Sequence, residues 1–398
     1  MTAPWLDIIG LGEDGLPGLS PAARTRLETA EVVYGAPRHH ALAPGLRGER
    51  RAWPSPFSAL EAEIAAMRGR PVAVLVTGDP IWFSAGTRFL KAFPREELTL
   101  HPQLSAFQWA AARMGWGLAD AETLTVHGRP AEQILPFLAP GQRLLVLTRD
   151  GSSPAEIADL LFRAGFGPSR LSVLAHLGGP EESRIDATAE AWEGTAPDLH
   201  VLAIDCRSAP DHVPLPLTGL PDDAFIHDGK MTKQEIRAVT LSALAPRRGA
   251  VLWDIGLGCG SVAIEWMRAA RDAQAIGIEP LPARISLAAA NAARLGAPRL
   301  KIVEGKAPEA LADLPAPDAV FIGGGLSGAA VEASLAALKP YGRLVANAVT
   351  LESEALLLEL HARHGGTLRR ISVARAEPVG PFRGWKPAMP VTQWSLTL

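Results

Sequence analysis

Cysteine is almost absent from this chain: Cys206 and Cys259 are the two among 398 residues. Two thiols cannot make a disulfide framework or a thiolate metal centre, so the fold must stand on a packed core. An excess of positive charge is missing as well. Lys and Arg total 39 against 42 Asp and Glu, a formal net charge of −3, and no basic run occurs. Nucleic-acid binders need a basic field, so none is expected here. No uninterrupted apolar run approaches the roughly 20 residues of a membrane span. No secretory leader is legible, because residues 5–10 already read as a strand with Asp7 inside it. These exclusions predict a cytoplasmic protein that binds neither membrane nor nucleic acid. What is present is 47% hydrophobic and 20% charged residues, over a length sufficient for two or three domains.

The most informative stretch is AVLWDIGLGCGS, residues 250–261. An apolar strand stops at Asp254, glycines alternate at Gly256, Gly258 and Gly260, and a helical pattern begins at Ser261. Alternating glycines let the backbone turn tightly beside a ligand, and the helix start offers it unpaired N–H groups. A dinucleotide fingerprint requires glycine where Ser261 stands. The next strand, 275–279, ends in Glu279, an acid placed to accept both hydroxyls of a ribose. An adenosyl cofactor without pyrophosphate, S-adenosylmethionine, fits better than NAD. A tight packing turn is the plainer reading of the same residues. Cys259 lies in this loop with no histidine near it in sequence, so a small oriented side chain is expected there, not a nucleophile.

The first half alternates strands (5–9, 31–34, 71–76, 98–101, then 123–126, 143–147, 171–175, 199–205) with helices, among them 55–67 and 105–114. Gly10, Gly12 and Gly15 imitate the dinucleotide fingerprint, but Pro17 and Gly18 interrupt the chain and the next helix starts at Ser20-Pro21. The turn Gly78-Asp79-Pro80 follows a buried strand, where open α/β sheets bind ligands; a plain Asx turn is the alternative. His127 and Arg129 end another strand and suit an anionic substrate or simply the surface. His39 and His40 are expected as a polar surface pair, not a zinc site, and 181–184 as a solvated turn. Residues 206–228, rich in proline, read as a linker or strap.

In the second half, Lys233 and Arg237 form an i,i+4 positive face on a helix over 232–244. Strands at 251–254, 275–279, 300–304, 319–322 and 343–347 alternate with helices. Two late strands, 371–374 and 391–396, are joined by a loop over 381–390. The pattern predicts seven strands, mostly parallel and mixed at one edge.

Quoted as they stand, IIGLGEDGLPGLS, TGDPIWFSAG, HPQLSAFQWAAARMGW with VHGR after it, and LTRDGSSP resemble the tetrapyrrole (corrin and porphyrin) methylases. MTKQEIR, DIGLGCGS, VEGKAPEAL, FIGGG and GRLVANAVT resemble the class I methyltransferases that act on C15 of a corrin precursor. Joined head to tail, they resemble the fused, decarboxylating C5,15-methyltransferase family of aerobic cobalamin biosynthesis. The resemblance implies an α/β tetrapyrrole-methylase domain over 1–205, itself two lobes split near 101–120, a linker over 206–230, and a seven-stranded Rossmann-like domain over 231–398. It implies one S-adenosylmethionine per domain and no metal. Gly10, Gly12, Gly78, Asp79 and Pro80 match the first cofactor cleft. Asp254, Gly256, Gly258, Gly260, Ser261, Glu279, Gly305 and Ala307 match the second. Lys306 departs from the pattern, since an acid able to hold the adenine amino group is common there, and Cys259 stands where threonine is frequent.

The implied reaction is methylation of precorrin-6Y at C5 by the first domain and C15 by the second, with loss of the C12 acetate carboxyl, giving precorrin-8. A sulfonium methyl is already electrophilic, so the protein supplies alignment and dryness. The substrate carries many carboxylates, for which Arg129, Lys233 and Arg237 are candidate partners, with Asn347 a candidate hydrogen-bonding group or a local cap. No general base is identified beyond Asp79. The resemblance also implies a homo-oligomer. Alternative readings are a bifunctional methyltransferase for another tetrapyrrole, a nucleic-acid methyltransferase, a dinucleotide-dependent reductase using the Gly10 loop, and a tetrapyrrole-binding module without turnover. The charge balance opposes the second and the Pro17-Gly18 break the third.

Overall fold

A computed structural model describes residues 4–398. The chain forms two compact units, Met1–Arg129 with Leu138–His212, and Pro130–Phe137 with Val213–Leu398.

The first unit holds two five-stranded sheets. In one, β1 (Leu6–Leu11), β2 (Val32–Tyr34), β3 (Glu49–Arg51), β4 (Val72–Thr77) and β5 (Leu98–His101) lie in the order β3-β2-β4-β1-β5, all parallel. Parallel strands are covered on both faces, which is why LDIIGL and VAVLVT are nearly continuous apolar runs. Asp7 is the exception inside β1. It is buried and held by Arg26 at 2.9 Å and His101 at 2.8 Å. The second sheet orders β6 (Ala121–Thr125), β7 (Arg143–Leu147), β8 (Arg170–Ala175), β9 (Ser183–Thr188) and β10 (His200–Asp205) as β6-β7-β10-β8-β9, with β10 antiparallel to both neighbours. Between the sheets in sequence, helix Ala106–Met114 is started by a capping box of Ser105 and Gln108 and stopped by left-handed Gly115.

One strand in this unit was not expected, and two expectations fail. Residues 49–51 form an edge strand, which its polar ERR sequence concealed. The expected helix over 55–67 is a 3-10 turn, Phe57–Ala59, followed by a shorter helix, Leu60–Ala65. The expected solvated turn near 184 is in part the edge strand β9, where Arg184 pairs with Asp186 at 2.8 Å.

The segment after β10 is shared between the units. Cys206 is buried and its carbonyl accepts from Gly141, while Ala209 donates to Gly165. Further along, Arg268 donates to the carbonyls of Pro216 and Leu217, and Leu220 and Phe225 are buried in the second unit. It is a strap, not a free tether.

The second unit is built on β11 (Val251–Ile255), β12 (Gln274–Glu279), β13 (Lys301–Glu304), β14 (Ala319–Ile322), β15 (Arg343–Ala348), β16 (Thr367–Ile371) and, after a hairpin of β17 (Ala374–Val379) and β18 (Phe382–Pro387), β19 (Val391–Thr397). The sheet order is β13-β12-β11-β14-β15-β19-β16, and β19 runs antiparallel to both neighbours. The number of strands and the mixed edge are as expected, but the strand expected at 371–374 lies at 367–371, and the hairpin replaces the expected 381–390 loop. Trp253, Trp266 and Trp394 are fully buried, and each indole N–H finds a carbonyl, those of Pro315, Gln274 and Gly365. Among the described residues no helix is long and apolar enough to cross a membrane.

Candidate functional site

The carboxyl ends of β11, β12, β14 and β15 surround a cavity of about 1050 Å³. Gly256, at φ +76°, forms its floor. A Cβ there would lie 2.6 Å from the backbone of Gly324, so the loops after β11 and β14 cross with no room for a side chain. Gly258 donates its N–H to Glu279 at 2.9 Å, and Leu281 donates to the other carboxylate oxygen at 3.1 Å. Glu279 is 2% exposed yet borders the cavity. Each of its oxygens keeps a lone pair for a ligand hydroxyl. Ser261, Gly305 and Ala307 also border the cavity. Gly260 does not: it caps the helix Ser261–Ala269 and lets it approach Ala288 of the neighbouring helix.

Asp254 is the electrostatic centre. One oxygen accepts from Ala263 N–H at 3.0 Å, and the other is buried at the cavity without a partner. Burial first, then the neighbouring Glu279 charge, pushes its carboxyl up to about 8, against the hydrogen bond from Ala263. An orphaned buried oxygen beside Glu279 and a glycine floor suits a ligand bringing a cationic or hydroxyl donor, as S-adenosylmethionine does.

The cations divide into two groups. Lys230, Lys233 and Lys306 border the cavity and have no ion-pair partner among the described residues. Arg284, Arg375 and Lys386 border it too, paired with Asp228 (2.8 Å), Glu235 (2.6 Å) and Glu377 (2.8 Å).

Arg237 corrects the expectation made for it. Its side chain is 0% exposed, and it bonds Glu265 (2.6 Å), Asp222 (3.3 Å) and the carbonyls of Thr232 and Leu220. With its fork consumed, it holds the strap and has no donor directed at the cavity. Asn347 borders the cavity, but its amide donates to Thr240 and accepts from Gln393, both at 3.0 Å. Cys259 is buried, and its thiol is raised by that burial, as suits a packing residue.

In the first unit, the ends of β1 and β4 touch. A Cβ on Gly10 would sit 2.1 Å from the Gly78 carbonyl oxygen, and one on Gly12 would sit 2.6 Å from Asp14. Gly78 has φ +60°. Asp79 spends one oxygen on the N–H groups of Ile81 (2.8 Å) and Trp82 (3.1 Å), the geometry of an Asx turn, and Pro80 is buried behind it. Arg129 is exposed and lies 5.8 Å from the ring centre of Phe83. His39 is no surface residue: it is 5% exposed, bonds Thr77 at 3.0 Å, and is lowered to about 4 by burial, then by Arg38 and His40. Glu13 ties Arg38 (2.9 Å) to His176 (3.3 Å), joining the loop after β1 to the one after β8.

Gly324 and Glu235 lie inside the FIGGG and MTKQEIR motifs but were given no role from the sequence, and Arg375 was passed over. Nothing in the local sequence marked Arg375, which meets Glu235 across 140 residues of chain.

Two family models match, the tetrapyrrole (corrin/porphyrin) methylases over residues 6–192 and the precorrin methyltransferase domain over 223–398. A precorrin-6Y C(5,15)-methyltransferase [decarboxylating] of Sinorhizobium sp is 50% identical over 100% of this chain and 97% of its own. A protein so named from Mycobacterium tuberculosis (strain CDC 1551 / Oshkosh) is 40% identical over 98% and 99%. The C-terminal domain of precorrin-6Y C5,15-methyltransferase from Rhodobacter capsulatus, a solved structure, is 54% identical over 46% of this chain and all of its own, with a TM-score of 0.44. Matched end to end at such identity, the chain belongs to the family of the decarboxylating precorrin-6Y C5,15-methyltransferases.

Proposed function

We infer that this chain methylates precorrin-6Y at C5 and C15 and removes the C12 acetate carboxyl, giving precorrin-8, with one S-adenosylmethionine bound by each unit. The observation that carries the reading is the orphaned Asp254 oxygen beside Glu279 over a side-chain-free glycine floor. Bound S-adenosylmethionine supplies an electrophilic methyl group. In the second unit, Asp254 and Glu279 hold its polar groups, and the Gly256–Gly324 crossing lets it lie against backbone. Lys230, Lys233 and Lys306 bind substrate carboxylates as point charges. Apolar side chains such as Met231, Ile236 and Met389 border the same cavity and exclude water from the reacting carbon. Loss of the acetate carboxyl as carbon dioxide passes the electrons of the broken C–C bond into the conjugated system of the substrate and leaves a methyl group, so the chain has only to hold that carboxylate away from a tight cation.

In the first unit, Gly10, Gly12, Gly78 and Pro80 shape the corresponding cleft, and Arg129 receives a carboxylate. Asp79, held in its Asx turn, builds that cleft and keeps one oxygen for proton transfer. The protein acts in the cytoplasm as a homo-oligomer. Incubation with metal-free precorrin-6Y and methyl-labelled S-adenosylmethionine is expected to add two methyl groups and release one carbon dioxide per product. A product with one methyl and its acetate intact would refute the assignment.

A further inference from the structure

We propose that Arg375 is a masked receptor for a peripheral carboxylate of the tetrapyrrole, occupied by Glu235 until the substrate displaces it. The inference rests on the function proposed above. Arg375 stands at the base of the β17–β18 hairpin and Glu235 in the first turn of helix Gln234–Leu244; both border the cavity. Their contact is two-pronged, Nε to Oε1 at 3.0 Å and Nη2 to Oε2 at 2.6 Å. That is the fork geometry in which guanidinium binds any carboxylate. Glu235 therefore sits as a substrate carboxylate would.

Exposure separates this pair from a structural one. The side chains are 51% and 41% exposed, against 0% for both Arg237 and Glu265. A water-screened pair exchanges one carboxylate for another with little change in free energy. The other paired cations suit the role less well. Asp228 also accepts from Lys230 N–H and so builds its own turn, and Lys386 bonds Glu377 within the hairpin through a single ammonium contact.

The surroundings prepare both partners for separation. Asp222 lies 3.6 Å from Arg375 but is fastened by Gln234 N–H and Arg237, so it stays behind to orient the guanidinium. Glu235, once released, remains in the first turn of an 11-residue helix, where a negative charge is stabilised by the helix dipole.

The test uses the full chain, precorrin-6Y and labelled S-adenosylmethionine, reading carbon dioxide release for the second unit and C5 methylation as an internal control. Glu235→Gln removes the competitor, so KM for carbon dioxide release is expected to fall by about threefold to tenfold. Arg375→Met is expected to raise KM by about tenfold, with the effect in KM and not in kcat, and Arg375→Lys to fall between. The double variant is expected to behave as Arg375→Met alone. A strut holding the hairpin predicts the opposite sign: Glu235→Gln would then raise KM, and that result, or no change, overturns the proposal. If the wild-type chain adds no methyl groups and releases no carbon dioxide, the functional assignment itself falls and takes this inference with it; turnover with the wrong sign for Glu235→Gln removes this inference alone.

Discussion

Two charged side chains buried in the second unit do different work. Arg237 is matched donor for acceptor: Glu265, which it bonds, also takes the N–H groups of Gly219 and Leu220, so the strap is pinned by one buried ion pair. Arg237→Met would strand Glu265 without its counter-charge. The second unit is expected to lose about 3–5 kcal/mol, as breaking buried pairs does. Denaturant unfolding should show its transition moving alone, with the first transition and C5 methylation unchanged. Asp254, by contrast, is left unmatched. Because its folded value of about 8 lies above the ordinary aspartate value of 3.8, the folded chain keeps a proton that the unfolded chain releases. The associated stability is complete below about pH 4 and is lost as pH rises toward 8. The charged and titratable groups around it are Glu279, whose charge raises it further, and the Cys259 thiol, itself influenced by Arg237. Without added cofactor, the Tm of the second unit should fall between pH 5 and 8, and Asp254→Asn should flatten that slope. A slope retained in the variant would assign it to other groups. The sequence distinguished neither behaviour. Lys233 and Arg237 share a helical spacing, and only the strap folded over one of them decides that it is buried.

Among elements, the legible ones were those whose environment is uniform along their length. The strands β1, β4, β11 and β14 are covered on both faces and read as nearly continuous apolar runs, broken only by Asp7 in β1 and Asp254 in β11; the helix Ala106–Met114 announced itself by Ser105 and Gly115. The glycine loop after β11 was legible because alternating glycine has few other uses. The β17–β18 hairpin was not, since ARAEPV and FRGWKP are exposed on both faces and carry no alternation. That exposure has a consequence. Val379, Phe382 and Trp385 are 63%, 75% and 77% exposed on one unpaired two-stranded arm, an arrangement proteins seldom leave uncovered. If the arm is covered by another copy of the chain, changing all three residues to serine should lower the mass seen in sedimentation velocity while leaving the Tm of both units in place. An unchanged mass would remove the arm from the oligomer interface.

At the scale of the whole molecule, the two units carry separate glycine-built strand ends, and each can be closed without touching the other. Gly10→Ala places a Cβ 2.1 Å from the Gly78 carbonyl, and Gly256→Ala places one 2.6 Å from Gly324 at a φ of +76°. In both cases the obstacle is backbone, which cannot swing aside as a side chain would, so the loops must shift. Displacement of that order misaligns a transferring group and costs about a hundredfold in rate. Gly10→Ala should therefore slow C5 methylation about a hundredfold while carbon dioxide release persists, and Gly256→Ala should slow C15 methylation and carbon dioxide release together by about as much while C5 methylation persists. Titration with S-adenosylmethionine should fall from two equivalents per chain to one in each variant. Loss of both methylations in either single variant, with both units still melting normally, would mean that the units act as one catalyst and not as two joined in sequence.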